Sequence, residues 1–365
     1  MYVAAAIEDP GAANGLIGLA DALAEKRVDL SIYATGPAVI YAPTVELAIK
    51  PFKSLKLPFG SGKPPAAVLS GTSENPKSPV FDVTAAALAA DIPSFGFVDG
   101  PANAEHRFRG NTDYALAHAP EYLLVSDPAA KDAFIGLGVN PAKIDVVGHP
   151  AMDRVRARRV WLDFEGREKV RTRLFPKIDT ARPLVIFLAE TSDGLDPAQF
   201  RRSSDYTLEG RGGRDGRTEI CLEETIDALA GAAPDAALVL KLHPKNEAPA
   251  FEPYAADLAG VCVGIDPLEA VYAADLVIGM TSVLLFEAAV MGRPTIAVTP
   301  RASEAAWLSS IGLGLTKHVC SSSDLRASID EALTSGLSGI RKPEQLVPAG
   351  AAARIADAIC RRIKA

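Results

Sequence analysis

The chain has 365 residues, long for a single core and suited to two domains. Apolar residues make up 48% and charged residues 23%, an ordinary globular composition. The formal net charge is −7, which argues against a nucleic-acid binder, and no apolar run approaches the ~18 residues of a membrane span.

Short apolar strands alternate with amphipathic helical stretches along the whole chain. Strands are expected at 3–7, 29–34, 66–70, 94–98, 122–126 and 144–147, with helices at 12–26, 79–90 and 128–137 between them. A second set follows, with strands at 184–189, 236–242, 275–279 and 294–298 and helices at 217–231, 282–291, 303–311 and 322–334. Repeated strand–helix–strand units predict parallel sheets covered on both faces. The expected organisation is an α/β chain with two Rossmann-like parallel-sheet domains facing a central cleft. The first covers 1–155, a helical linker 156–183, the second domain 184–345 and a C-terminal helix 346–365, which could pack on either domain. Residues 201–217, "RRSSDYTLEGRGGRDGR", are expected to form a mobile lid.

The N-terminus "MYVAAAIEDPG" lacks a basic leader region and reads as a first strand rather than a signal peptide. Cys221, Cys262, Cys320 and Cys360 are widely spaced, which suits reduced thiols in a cytoplasmic protein and neither a disulfide frame nor a zinc site. Residues 154–177 hold nine Lys and Arg against three acids. Such a run reads first as a solvated helix face; its functional alternative is peripheral contact with an anionic inner-membrane surface.

In Rossmann-like domains ligands gather beyond the C-terminal ends of the strands, where helix N-termini present free N–H groups. After strand 3–7, Asp9, Gly11, Asn14 and Gly15 form a tight turn whose glycines would let a ligand approach the backbone; an ordinary strand-to-helix connection is the alternative. After strand 94–98, Asp99, Asn103, Glu105, His106, Arg107 and Arg109 crowd together. Asp99 or His106 would serve as general base, with Glu105 or Asp99 as partner of the imidazole; a surface salt-bridge cluster is the alternative. Within "GHPAMD", Asp153 reads as satisfying a helix N-terminus.

In the second domain, Glu190, Thr191 and Ser192 open the strand ends and would bind phosphate or sugar. Lys241 and His243 share one side of their strand and suit a phosphate or a developing negative charge. In "DLVIGMTSVLLFEAAVMGRPTIAV", Gly279, Met280, Thr281 and Ser282 lead from a strand into a helix that carries Glu287 among apolar neighbours. Hydroxyls and free N–H groups at that helix start fit a diphosphate, and Glu287 would accept hydrogen bonds from ribose hydroxyls. A capped core helix with Glu287 in solvent is the alternative.

Together these segments resemble the GT-B superfamily of nucleotide-sugar glycosyltransferases and UDP-N-acetylglucosamine 2-epimerases. "KIDVVGHPAMD" is similar to the end of that family's first domain, "LVLKLHPKN" to its His-Pro strand, and the 275–298 stretch to its nucleotide-binding helix. The resemblance to the epimerases places Asp99 at their catalytic Glu, His243 near their catalytic His, and Arg301, Ser303 and Glu304 in a segment similar to their Arg-x-x-Thr-Glu-Arg-Pro-Glu loop. It departs from them at "SGTSEN", where they carry a catalytic Asp within Gly-Asp-Thr, and at "EDPGAANG" near the N-terminus. The resemblance implies a metal-free enzyme that uses a nucleotide-sugar donor, of UDP or CDP type, with no bound cofactor. The expected activity is glycosyl transfer to an unknown acceptor held by the first domain. A nucleotide-sugar 2-epimerase or hydrolase, and a non-catalytic nucleotide-binding protein, are the alternatives.

Overall fold

The computed structural model describes residues 1–57, 59, 64–73, 75–191, 200–243 and 245–363. They form two compact units, Met1–Arg154 with Pro348–Ala365, and Val155–Val347. The first holds seven parallel strands: β1 (Tyr2–Ile7), β2 (Asp29–Ala34), β3 (Ile49–Pro51), β4 (Ala67–Gly71), β5 (Ser94–Val98), β6 (Tyr122–Val125) and β7 (Ile144–Val146), in the order β3-β2-β1-β4-β5-β6-β7. The second holds β8 (Leu184–Leu188), β9 (Ala237–Lys241), β10 (Gly260–Cys262), β11 (Leu276–Gly279), β12 (Thr295–Val298) and β13 (Lys317–Val319), in the order β10-β9-β8-β11-β12-β13. Both sheets are doubly wound. The order of strand addition reverses between β1 and β4 in one and between β8 and β11 in the other, the two switch points where such folds take ligands.

β4, β5 and β8 are buried along their whole length, as strands covered on both faces must be. Helix Ala351–Ile363 packs Ile355, Ala356 and Ile359 into the first core. Its first turn is closed by Asp153, whose Oδ2 accepts the Ala351 N–H at 2.9 Å and whose two oxygens accept that of Gly350 at 3.1 Å. Asp153 thus satisfies a helix N-terminus, though that of the distant C-terminal helix. In the second unit Asp275 joins the entries of two strands. It accepts the Leu184 N–H at 2.8 Å and pairs with Arg167 and Arg171. Among the described residues no helix is long and apolar enough to cross a membrane.

The Gly- and Arg-rich segment expected to be a mobile lid is instead fastened down. Thr207 bonds the Pro300 and Cys320 carbonyls, and Arg202 N–H reaches Asp215 O. Glu223 and Glu224, buried on helix Arg217–Ala232, accept the backbone N–H groups of Glu209, Gly210 and Arg211. These two buried acids are satisfied by that segment, with the Tyr254 hydroxyl as a further donor to Glu223 at 2.9 Å, which is why it is held.

Candidate functional site

In the first unit, polar groups collect beyond β1, β4 and β5. Arg107 donates from Nη1 to Asp99 Oδ1 at 2.9 Å and to Thr72 Oγ1 at 3.0 Å, and from Nε to the Ala102 carbonyl. Burial alone would raise the Asp99 carboxyl; Arg107, by its charge and its hydrogen bond, outweighs it and holds it below the usual carboxylate range. Asp99 is therefore an ionised, weakly basic carboxylate with a guanidinium partner. His106 takes the other place expected in this cluster, with Nε2 at 3.4 Å from the exposed Glu105 Oε1. Asp99 belongs to Arg107 and not to the imidazole. Asn103 sits in the turn with φ +53°, a left-handed conformation that Asn tolerates.

The turn after β1 serves the protein's own side chains. A Cβ on Gly11 would lie 2.2 Å from Asp99 Oδ2, and one on Gly15 would lie 2.2 Å from the Phe97 ring. Asn14 is buried and accepts the Tyr41 hydroxyl at 2.9 Å. Asp9 stands at the N-cap of helix Pro10–Asn14 in extended backbone. At both glycines expected to admit a ligand, Asp99 and Phe97 approach the backbone, because β5 lies close beneath this turn.

His149 lies in the "GHPAMD" turn after β7 and comes close to the Asp99 cluster. It is 6% exposed, meets the Phe97 ring edge-on and accepts the Ala151 N–H on Nδ1 at 3.2 Å. That bond places the proton of the neutral ring on Nε2. Burial pushes its pKa down, against the pull of Asp99, Asp127 and Asp153. The unfolded chain therefore takes up this proton first, and the stability present above the ordinary value of 6.5 is lost as pH falls below it. We expect the melting temperature to fall as pH drops through that value, and to fall less steeply in His149→Asn. His243 and His318 are also held low by burial and keep part of the slope. An identical slope in the variant would remove His149 from the account.

In the second unit, Glu190 follows β8 and meets Thr281, which follows β11, at the switch point. Glu190 Oε1 accepts the Thr281 N–H at 2.5 Å, and Oε2 accepts the Thr281 hydroxyl at 3.0 Å and Arg217 Nη1 at 2.8 Å. Arg217 is 1% exposed and also binds Glu304, which is fully buried, from Nε at 2.7 Å. Arg301 approaches the far Glu304 oxygen at 3.3 Å, bonds Asp205 and Ser203, and lies over the Tyr206 ring. Burial raises the Glu304 carboxyl, partly countered by Arg217 and Arg301. Burial works against the Arg217 charge, but Glu190 and Glu304 reverse it and raise its pKa.

This network changes the reading of the 279–287 stretch. The Thr281 N–H expected to hold a diphosphate holds the chain's own carboxylate. Met280 is fully buried in the core, and a Cβ on Gly279 would lie 3.2 Å from Leu188 Cβ, so both residues shape the strand. Ser282 caps helix Val283–Val290, its Oγ accepting the Leu284 N–H at 3.2 Å. Glu287 is 6% exposed, so the solvent-facing alternative is excluded. Beside them, His243 accepts the Lys245 N–H on Nδ1 at 3.1 Å, which leaves Nε2 as the donor of a neutral ring. Burial, then Lys245, lowers its pKa. Lys241 folds its ammonium onto the Leu242 carbonyl at 3.0 Å, and Asn246 ties this turn to the Glu190 carbonyl. Thr191 is half-buried at the end of the same β8 turn, and Ser192 lies outside the described residues.

Two successive doubly wound parallel sheets, each gathering polar side chains at its switch point, place the chain in the GT-B fold class. Solved structures of that fold match it from end to end. It is similar to the UDP-GlcNAc 2-epimerase of Neisseria meningitidis bound to UDP-GlcNAc, with TM-score 0.66 and 14% identity over 99% of this chain and 100% of the other. An Anabaena protein in complex with UDP and glucose matches at TM-score 0.57 and 15% identity, over 99% and 98%. A wall teichoic acid polymerase matches at TM-score 0.54 and 12% identity, over 100% and 89%. No protein-family model and no curated protein matches the sequence.

Proposed function

We propose that this chain is a nucleotide-sugar enzyme that binds a UDP-sugar in its second unit and converts it without a separate acceptor, by epimerisation or hydrolysis. The end-to-end likeness to a 2-epimerase bound to UDP-GlcNAc carries this reading. On it, Lys241 and the His243 Nε2–H face the diphosphate and stabilise its charge as it departs. Thr281 and Ser282 stand at the helix start, and Glu287 takes the ribose hydroxyls. In the first unit Asp99, kept ionised by Arg107, is a proton acceptor, and His106 is the second candidate.

Glycosyl transfer is the second reading. Thr72 stands in the segment where the epimerases carry Asp, and it binds Arg107 rather than supplying a carboxylate. The likeness to a wall teichoic acid polymerase points the same way. Incubation with UDP-GlcNAc alone, followed by chromatography and proton NMR, separates the readings. Formation of a 2-epimer or of free UDP at a catalytic rate is the expected result. Binding with an unchanged donor would contradict it and leave transfer, or binding without catalysis.

A further inference from the structure

Helix Pro150–Glu165 buries Ala151, Met152, Val155 and Leu162 and turns a second apolar set outward. Val160 is 71% exposed, Trp161 52% and Phe164 94%. At positions i, i+1 and i+4 these side chains occupy one side of the helix. Three large apolar groups side by side in water forgo the burial that drives folding, so the face is built for contact. Its rim is basic. The Arg158 guanidinium lies 4.4 Å from the centre of the Trp161 ring. Lys169 and Arg173 line, with Trp161, Phe164, Glu165 and Glu269, a pocket of about 550 Å³ at the foot of the stripe. Its two acids pair with the two arginines, Glu269 with Arg158 and Arg173 and Glu165 with Arg173, so Lys169 supplies the charge in excess. Arg158, Lys169 and Arg173 against Glu165 and Glu269 leave this face one positive charge in excess, in a chain whose net charge is −7.

We propose that this face docks on an anionic lipid surface, with Trp161 and Phe164 in the interfacial layer and Arg158, Lys169 and Arg173 at the headgroups. Aromatic and aliphatic side chains flanked by basic ones are the pattern of helices that lie on membranes. A stable protein partner needs roughly 800 Å² on each side, far more than three side chains on one helix supply. The proposal does not depend on the nucleotide-sugar reading.

The test is co-sedimentation of the full chain with vesicles of equal parts phosphatidylcholine and phosphatidylglycerol, against phosphatidylcholine alone. Trp161 emission is followed in a Trp307→Phe background. Expected are binding to the anionic vesicles only, a blue shift of Trp161, and weakening by salt. A Trp161→Ser, Phe164→Ser variant with unchanged melting temperature should bind on the order of tenfold or more weakly. Three results would overturn the proposal: no binding to the anionic vesicles, binding that both substitutions leave intact, or self-association without lipid that the substitutions abolish. The last would assign the face to a second copy of the chain.

Discussion

Replacing Glu190 with Gln is expected to tighten UDP binding, by on the order of tenfold or more. The Glu190 carboxylate already holds the Thr281 N–H and hydroxyl and one arm of Arg217. A diphosphate at the same helix start would compete for those donors and meet a like charge. Two unit charges ~4 Å apart near a protein surface repel by about 4 kcal/mol. The amide removes that repulsion and leaves the Arg217–Glu304 pair neutral beside the ligand, where the carboxylate had made the cluster net negative. Calorimetric titration of both proteins with UDP reads the difference directly. Weaker binding in Glu190→Gln would mean that the carboxylate itself contacts the ligand, as a sugar or ribose acceptor would.

Arg217→Met is the second large effect. Glu304 is fully buried, and Arg217 supplies its closest bonds, leaving only the longer 3.3 Å approach of Arg301. Breaking a buried pair by removing one partner costs about 3–5 kcal/mol, whereas replacing both partners with neutral groups is close to neutral. Arg217→Met should destabilise the second unit by that amount, and Arg217→Met with Glu304→Gln should recover most of it. Urea denaturation followed by Trp307 fluorescence in a Trp161→Phe background, with that ring 5.6 Å from the Arg217 guanidinium, reports on this unit. A loss below about 1 kcal/mol in the single variant would show that Arg301 satisfies Glu304 unaided.

β1, β8 and β9 were legible because each carries a run of four or more buried apolar residues, as in β8, "LVIFL". β3, β10 and β13 were not, being three-residue segments too short to show a period. The polar residues after the strands were found where the topology puts them. Their partners were not: Arg217 meets Glu304 across 87 residues, and nothing local marks that pairing. Glu190 was read as a ligand group from its position, but its bonds to Thr281 and Arg217 were not legible there. The glycines of the first turn were legible as close-approach positions, but the approaching groups are Asp99 and Phe97.

The central claim is that the second unit binds a uridine nucleotide, and titration of UDP into the full wild-type chain tests it most directly. The account predicts saturable binding of one UDP per chain, with an affinity within the ~1 μM to 1 mM range ordinary for enzyme substrates. No binding of UDP to wild type or to Glu190→Gln across that range would contradict it, and would leave the Glu190–Thr281–Arg217 cluster as a structural ion network at the end of a sheet.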